Sequence, residues 1–462
     1  MRRSISFAVV LALLFTFSGC ALTPAKNVTN TASDANFPSV VFVHGNGDTA
    51  ALWHTTIWRF EANGWPRDRL HAIDVPYPNA RDDDGKAQVG RSSTTEHAQF
   101  LANEVAAVRQ ATGADKVILI GNSRGGYAIR NYVQNLGGDA YVSHAILGGV
   151  PNHGVWANDK RPNSEGSEFF GNGAFLKQLN APKNAAGDEV TGPVKWLTLR
   201  SDNNDKFAQR DGTWLGLKGT PTGVSFDGPA LKGATNIVLP ARDHRETSFH
   251  VDAFAAMWRF ITGDAPRTLA ITKEERIVLN GKISALGLKG AGDFVTNVPL
   301  AGATLEVFAL NADGERMGAA LHRKITAADG QWGPFNARPD AAYEFVISAE
   351  AYASTHIYRA PFPRSSNVIH LRPARVNSAD RNAVAVVTLT RPRGYFGLGR
   401  DTMSLDGKAL AGIVAGVAGG STAKVSLSSE AGRSVVAEFN GERIVARAWP
   451  VSGNHVTLIE LH

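Results

Sequence analysis

The segment Lys116-Val117-Ile118-Leu119-Ile120-Gly121-Asn122-Ser123-Arg124-Gly125-Gly126 constrains this chain more than any other. A continuous apolar run of strand length, bounded by turn residues, suits a strand buried on both faces, as in a parallel sheet. Residues 124 to 135 then read as a helix. Between the two, a glycine-flanked serine follows the pattern G-x-S-x-G, a strand-turn-helix corner that lifts a serine hydroxyl above a sheet. The glycines suit a turn so tight that Cβ atoms would collide with the neighbouring strand and helix. Ser123 is therefore the candidate nucleophile.

The surrounding residues agree with such a sheet. Ser39 to Val43 is another continuous apolar run, bounded by Pro38 and Gly45. Leu70 to Val75, Val142 to Leu147, Val194 to Leu199 and Asn236 to Leu239 read as further strands. Residues 95 to 111 place Phe100, Leu101, Val105 and Val108 on one helical face, and Val251 to Ile261 is a final amphipathic helix. Alternating strands and helices predict an α/β doubly wound parallel sheet over residues 37–267.

A serine hydroxyl needs a base, and the base needs an orienting carboxylate. In folds built on this corner the chain order is serine, acid, histidine, with the acid in the loop after a strand. The strand at Val194 to Leu199 opens into Arg200-Ser201-Asp202-Asn203-Asn204-Asp205. Asp205 is the preferred acid because it lies a few residues past the strand end, and Asp202 is the alternative. Whichever is not used would serve as a turn former. The loop Pro240-Ala241-Arg242-Asp243-His244 lies between the last strand and the last helix and supplies His244 as the base; His250 abuts the helix start and reads as a cap. His54, His71, His97 and His144 have no partner pattern and read as surface or packing residues. His44-Gly45-Asn46-Gly47 follows the first strand, where the backbone donates one N–H to an oxyanion and the residue after the nucleophile donates the other. That assigns the main-chain amides of Asn46 and Arg124, with His44 itself a packing and hydrogen-bonding residue.

With these residues in place, 37 to 265 resembles a bacterial or archaeal lipase/esterase of the α/β-hydrolase superfamily. Gly148-Gly149-Val150-Pro151-Asn152-His153-Gly154 is similar to the Gly-Thr-Pro-His-x-Gly turn of such lipases, and Gly121 to Gly126 to their Gly-His-Ser-x-Gly-Gly. Asn122 stands where they carry His, a change expected to leave the chemistry untouched. The resemblance implies a carboxylic-ester hydrolase with an ester or lipid substrate and a Ser123, Asp205, His244 triad. The same triad could serve polyhydroxyalkanoate, thioester or amide substrates. A non-catalytic envelope binding protein of this fold would be expected to lack a triad member, and none is missing here.

About forty residues between Gly149 and Val194 show no clear regular structure, longer than an ordinary connection. Trp156, Phe169, Phe170, Phe175 and Leu176 punctuate them. A lid over the site, with these side chains lining the acyl pocket, and a packed insertion are both compatible with that pattern.

Beyond residue 267 helical periodicity disappears and period-two segments take over, clearest at Thr304 to Leu310 and Tyr343 to Ile347. Asp313-Gly314, Asp329-Gly330 and Asp406-Gly407 mark tight turns. Residues 326–345 resemble a transthyretin-like or carboxypeptidase-regulatory-like sandwich with Trp332, Phe335 and Tyr343 in its core. A Pro- and Arg-containing stretch predicts a division into a β-sandwich domain, 268–373, and a second β module, 374–462. Tyr395 and Phe396, among glycines and arginines, are candidates for exposed contact with lipid or polymer. The plan resembles archaeal lipases that carry a C-terminal β domain for lipid binding.

At the N-terminus, Arg2-Arg3 and the apolar stretch Ile5 to Phe17 read as a signal peptide over 1–20. Phe17-Ser18-Gly19-Cys20 resembles a lipobox, which implies a lipidated Cys20, a flexible tether over 21–36 and a place in the bacterial cell envelope; ordinary cleavage near Ala21 or Ala25 would instead imply secretion. Cys20 is the only cysteine, so stability must come from packing. The net charge of +6 is scattered, without the basic stripe of a nucleic-acid binder. No zinc spacing or phosphate-binding glycine loop occurs, and Asp82-Asp83-Asp84-Gly85 lacks the ligand spacing of a calcium loop. No cofactor or metal is expected.

Overall fold

The apolar runs of the first half pair into one sheet. In the computed structural model, which describes residues 37–157, 165–202, 204–215, 217–287, 294–413, 415 and 419–462, six strands lie side by side. They are β1 (Val40–Val43), β2 (Leu70–Ile73), β3 (Val117–Asn122), β4 (Val142–Gly148), β5 (Lys195–Ser201) and β6 (Thr235–Leu239). Their order is β2-β1-β3-β4-β5-β6, and every pairing is parallel. Cys20 and the residues expected to form a signal peptide and tether lie outside the described residues.

Successive side chains of the central strands enter opposite cores. Val41, Val43, Val117 and Leu119 pack with Leu101, Val105 and Tyr127 of helices α2 (Thr94–Thr112) and α3 (Arg124–Asn135). Val40, Phe42, Ile118 and Ile120 pack with Phe60 of α1 (His54–Ala62), reached earlier in the chain, and with Phe254 and Met257 of the last helix (Val251–Thr262). Burial on both faces is why these strands lack polar alternation. The chain runs from β1 outward to β2 and then back to β3 on the other side. This reversal leaves a crevice at the carboxyl ends of β1 and β3, where sheets of this class bind ligands.

The second half is β-rich. Its main sheet contains β7 (Thr304–Ala309), β8 (His322–Ile325), β9 (Tyr343–Ser348), β10 (Ser354–Arg359), β11 (Ala385–Thr390), β12 (Thr422–Leu427) and β13 (His455–Glu460). The order is β8-β7-β9-β10-β13-β11-β12. The terminal strand β13 pairs in parallel with β10 on one side and β11 on the other. The boundary expected at 373/374 therefore falls inside one continuous sheet, because long-range pairing by the last strand joins the two halves. A three-stranded sheet, Met403–Leu405, Ser434–Phe439 and Glu442–Arg447, packs its Val435, Ala437 and Ile444 into the same core as Leu389 and Ile459.

Trp332, Phe335 and Tyr343 are core residues, as expected. The alternation expected at Tyr343 to Ile347 is not seen, since β9 is buried from Tyr343 to Ile347. Glu344 can occupy that strand because His356, Arg316 and Tyr358 all hydrogen-bond its carboxylate. The first half also contributes to this β core. Trp58 of α1 is buried among Ile277, Leu279 and Phe362, and its Nε1 donates to the Ser365 carbonyl at 2.8 Å.

Candidate active site

Ser123 sits at the corner between β3 and α3 with φ 50° and ψ −122°, a strained conformation for a residue with a Cβ. The glycines around it are sterically required. A Cβ on Gly125 would lie 2.5 Å from the Val43 carbonyl oxygen, and one on Gly121 would lie 2.9 Å from the Gly126 nitrogen. Ser123 is buried, and its N–H donates to the Gly148 carbonyl at 2.9 Å.

The loop after β1 passes directly beside it. A Cβ on Gly45 would come within 3.1 Å of Ser123 Cβ. Asn46 stands at the exposed tip, where its side-chain oxygen accepts from the Ala80 N–H at 2.7 Å. His44 is buried; its Nε2 accepts from the Val75 N–H at 3.1 Å, and its Nδ1 lies 2.9 Å from the Gly45 carbonyl. Burial pushes its imidazole below the usual histidine range, despite the opposing pull of Asp74.

His244 is buried, with its ring edge against Phe207 at a centroid distance of 4.6 Å. Its Nδ1 lies 2.8 Å from Asp205 Oδ2, and Asp205 Oδ1 accepts from the Phe207 N–H at 2.8 Å. Asp202 points elsewhere. It accepts from the N–H groups of Asn204 at 3.0 Å and Ala241 at 2.8 Å, which is the turn-forming arrangement. His250 caps the last helix, accepting from the Asp252 N–H at 3.2 Å, with its pKa lowered to about 4 by burial and then by Arg242.

Two side chains of the corner do more than the sequence suggested. Asn122, whose place in the motif is expected to leave the chemistry untouched, donates through Nδ2 to the Gly148 and His244 carbonyls at 3.0 and 3.2 Å and so ties the corner to the histidine loop. The Arg124 side chain, assigned no role from the sequence, is fully buried. It forms a two-bond fork with Glu168 at 2.8 and 2.9 Å and also donates to Ser92 Oγ at 2.9 Å and the Pro78 carbonyl at 3.2 Å.

Glu168 belongs to the long insertion, whose described part is tied to the body of the domain. The Asp84 N–H donates to the Gly166 carbonyl at 2.7 Å, and α4 (Ala174–Leu179) buries Leu176 and Leu179 in the same core as Tyr127. The described residues of the insertion are thus packed against the domain. Trp156, Phe169 and Phe170 line the cavity in front of Ser123, whereas Leu176 joins the core and Phe175 lies against Tyr127.

That cavity has a volume of about 740 Å³ and is bordered by Ser123, His244, Gly45, Asn46 and Asn122. Val155, Trp156, Phe169, Phe170, Leu215 and Leu217 supply an apolar lining; Asp48, Arg245 and Tyr395 supply a polar one.

Tyr395 comes from the β half, and so do several supports of the site. Asn297 Nδ2 donates to the carbonyls of Asp48 at 2.8 Å and Val75 at 3.0 Å, holding the loop that carries Asn46. Arg391 and Arg400 reach Asp243, directly before His244, at 3.0 and 3.4 Å, and Glu246, directly after Arg245, at 2.6 and 3.0 Å. The expected exposure of Tyr395 and Phe396 is overturned. Phe396 is fully buried against Phe439, and Tyr395 is 7% exposed and faces the cavity. Beside them, Arg391 and Arg400 pair with Asp243 and Glu246 of the first half rather than with solvent.

Of the aspartates at 82 to 84, one serves the α2 entrance. Asp84 accepts from the Thr94 N–H and Oγ1, both at 2.7 Å, and Asp83 pairs with Lys86. Among the described residues, no group of three or more His, Cys, Asp or Glu could hold a metal ion.

Residues 38–213 match the alpha/beta hydrolase fold family, and residues 275–376 match the lipase C-terminal domain. Among solved structures, the chain is similar to the mature form of Bacillus licheniformis lipase BlEst2 at 20% identity, covering 49% of this chain and 92% of that one with a TM-score of 0.32. Its propeptide form is similar at 15% identity, covering 90% and 93% with a TM-score of 0.35. Aspergillus fumigatus lipase B is similar at 12% identity and a TM-score of 0.36, covering 51% of this chain; the chain spans 55% of that lipase's length.

Proposed function

From the premise that an α/β hydrolase fold is here joined to a lipase C-terminal domain, we propose that this chain is a serine carboxylic-ester hydrolase working through an acyl-enzyme. Ser123 Oγ attacks the acyl carbon while His244 Nε2 takes its proton. Asp205 holds the Nδ1–H and stabilises the imidazolium. The main-chain amides of Asn46 and Arg124 receive the oxyanion. His244 then hands its proton to the departing alcohol, and water releases the acid by the same steps in reverse. The observation that carries this reading is the 2.8 Å His244–Asp205 contact in a cavity shared with Ser123 on its strained corner. The apolar lining from Val155 to Leu217 suits an acyl chain.

A p-nitrophenyl ester series from short to long acyl chains, run on the wild type and Ser123→Ala, tests it. Hydrolysis is expected to fall by at least about 10⁴-fold in the variant. Full activity without the serine hydroxyl overturns the reading, and activity confined to short chains removes lipid as the substrate class while leaving ester hydrolysis.

We further propose that the mature chain is anchored in the cell envelope by a lipid on Cys20, on the strength of the lipobox-like leader. Cys20→Ala is then expected to move the protein from the membrane fraction to the soluble one. An unchanged distribution refutes the anchor.

A further inference from the structure

We infer that Tyr395, carried into the cavity by the β half of the chain, donates a hydrogen bond to the alcohol part of the substrate, so that the preferred substrate is an ester whose alcohol bears further oxygen atoms. The inference rests on the ester-hydrolase reading of the same cavity.

Tyr395 lines the cavity together with Ser123 and His244 and is 7% exposed. A phenol buried to that extent ordinarily has a partner for its hydroxyl. Among the described residues no hydrogen bond ends on this one, although the backbone of Tyr395 is fully engaged. Its N–H donates to Asp243 Oδ2 at 2.9 Å, and its carbonyl accepts from Arg391 and from Arg400, the latter at 2.7 Å. Lys206 Nζ and Arg245 Cζ lie 4.2 and 5.2 Å from its ring centroid. Backbone and ring are thus held while the hydroxyl is left for something that enters the cavity. Burial pushes the phenol up to about 12, so it stays a donor at neutral pH.

Its neighbours indicate which half of an ester it meets. His244 passes a proton to the departing alcohol, so the alcohol must lie beside His244. Tyr395 is tethered to both sequence neighbours of that histidine, to Asp243 through its amide and to Arg245 through its ring. The apolar lining residues belong to the hydrolase half and remain for the acyl chain. A purely space-filling residue at 395 would need no hydroxyl.

The test compares two esters of one acid, 2,3-dihydroxypropyl octanoate and propyl octanoate, on the wild type and Tyr395→Phe. The readout is the ratio of their kcat/KM values, which does not depend on the fraction of folded enzyme. Loss of one hydrogen bond is expected to lower that ratio about fivefold in the variant. An equal ratio in the two proteins overturns the inference while leaving ester hydrolysis intact. If the wild type hydrolyses neither ester faster than Ser123→Ala, the ester-hydrolase reading fails and takes this inference with it.

Discussion

Arg124 and Glu168 form a buried ion pair in which two guanidinium nitrogens meet two carboxylate oxygens, directly behind the Ser123 corner. Arg124, whose amide we propose receives the oxyanion, thus uses its side chain to fasten the insertion that walls the cavity. The pair couples two segments 44 positions apart in the chain. Removing one partner leaves an uncompensated buried charge, which is costlier than the pair itself is stabilising.

Glu168→Gln is therefore expected to destabilise the protein by about 3 kcal/mol. Urea unfolding measures this. The variant should also lose esterase activity, because the Arg124 amide is no longer held in place. Unchanged stability would show that the fork contributes nothing to holding the insertion.

The two aspartates after β5 should separate in kinetics. Asp205→Asn keeps the shape but no longer fixes the His244 tautomer, and a kcat loss of about 10⁴ is expected. Asp202→Asn removes only turn contacts to Asn204 and Ala241, and its kcat should stay within about threefold, since a turn former contributes to backbone geometry rather than chemistry. Steady-state kinetics on one p-nitrophenyl ester decides between them.

Asn297 acts from the β half on the loop carrying Asn46. Asn297→Ala leaves the carbonyls of Asp48 and Val75 without these donors. A stability loss of about 2 kcal/mol is expected. A drop in kcat of about tenfold should accompany it, because small misplacements of oxyanion donors are costly. A normal kcat in the folded variant would mean that the loop keeps its position unaided.

Asp74 joins the two halves and makes their union acid-sensitive. It lies 2.8 Å from both Lys282 Nζ and His370 Nε2. Burial alone would raise its carboxyl, but His370 and Lys282 more than reverse this and hold it well below 3.8. Its folded value is therefore depressed relative to the unfolded one. The stabilisation is present above about pH 4 and is lost as the pH falls towards the folded value. Melting temperature should fall steeply below pH 4 in the wild type and less steeply in Asp74→Asn, which begins lower at neutral pH. Parallel curves would exclude Asp74 as the acid-sensitive contact.

The order of strands and helices, the corner at Ser123 and the loops carrying His44-Gly45-Asn46 and His244 were legible in the sequence by itself. Each is a short-range pattern: an apolar run has the period of its element, and a tight turn demands its own glycines wherever it occurs. That Asp205 rather than Asp202 meets His244 needed the structure, because both follow β5 and only one direction leads to the histidine. Asn297, Arg391 and Arg400 carried no signal of their roles, and Tyr395 stood out only as a candidate for exposed contact, not as a wall of the cavity. They meet their partners across separations of 145 to 249 residues, and the pattern around an arginine or a tyrosine does not reveal which distant carboxylate or cavity it will face. For the same reason the β half read as two modules, since only the pairing of β13 with β10 and β11 makes it one sheet. Local sequence thus decided where Ser123 would stand; tertiary contact alone decided what surrounds it, because a cavity is closed by surfaces that meet only once the whole chain has folded.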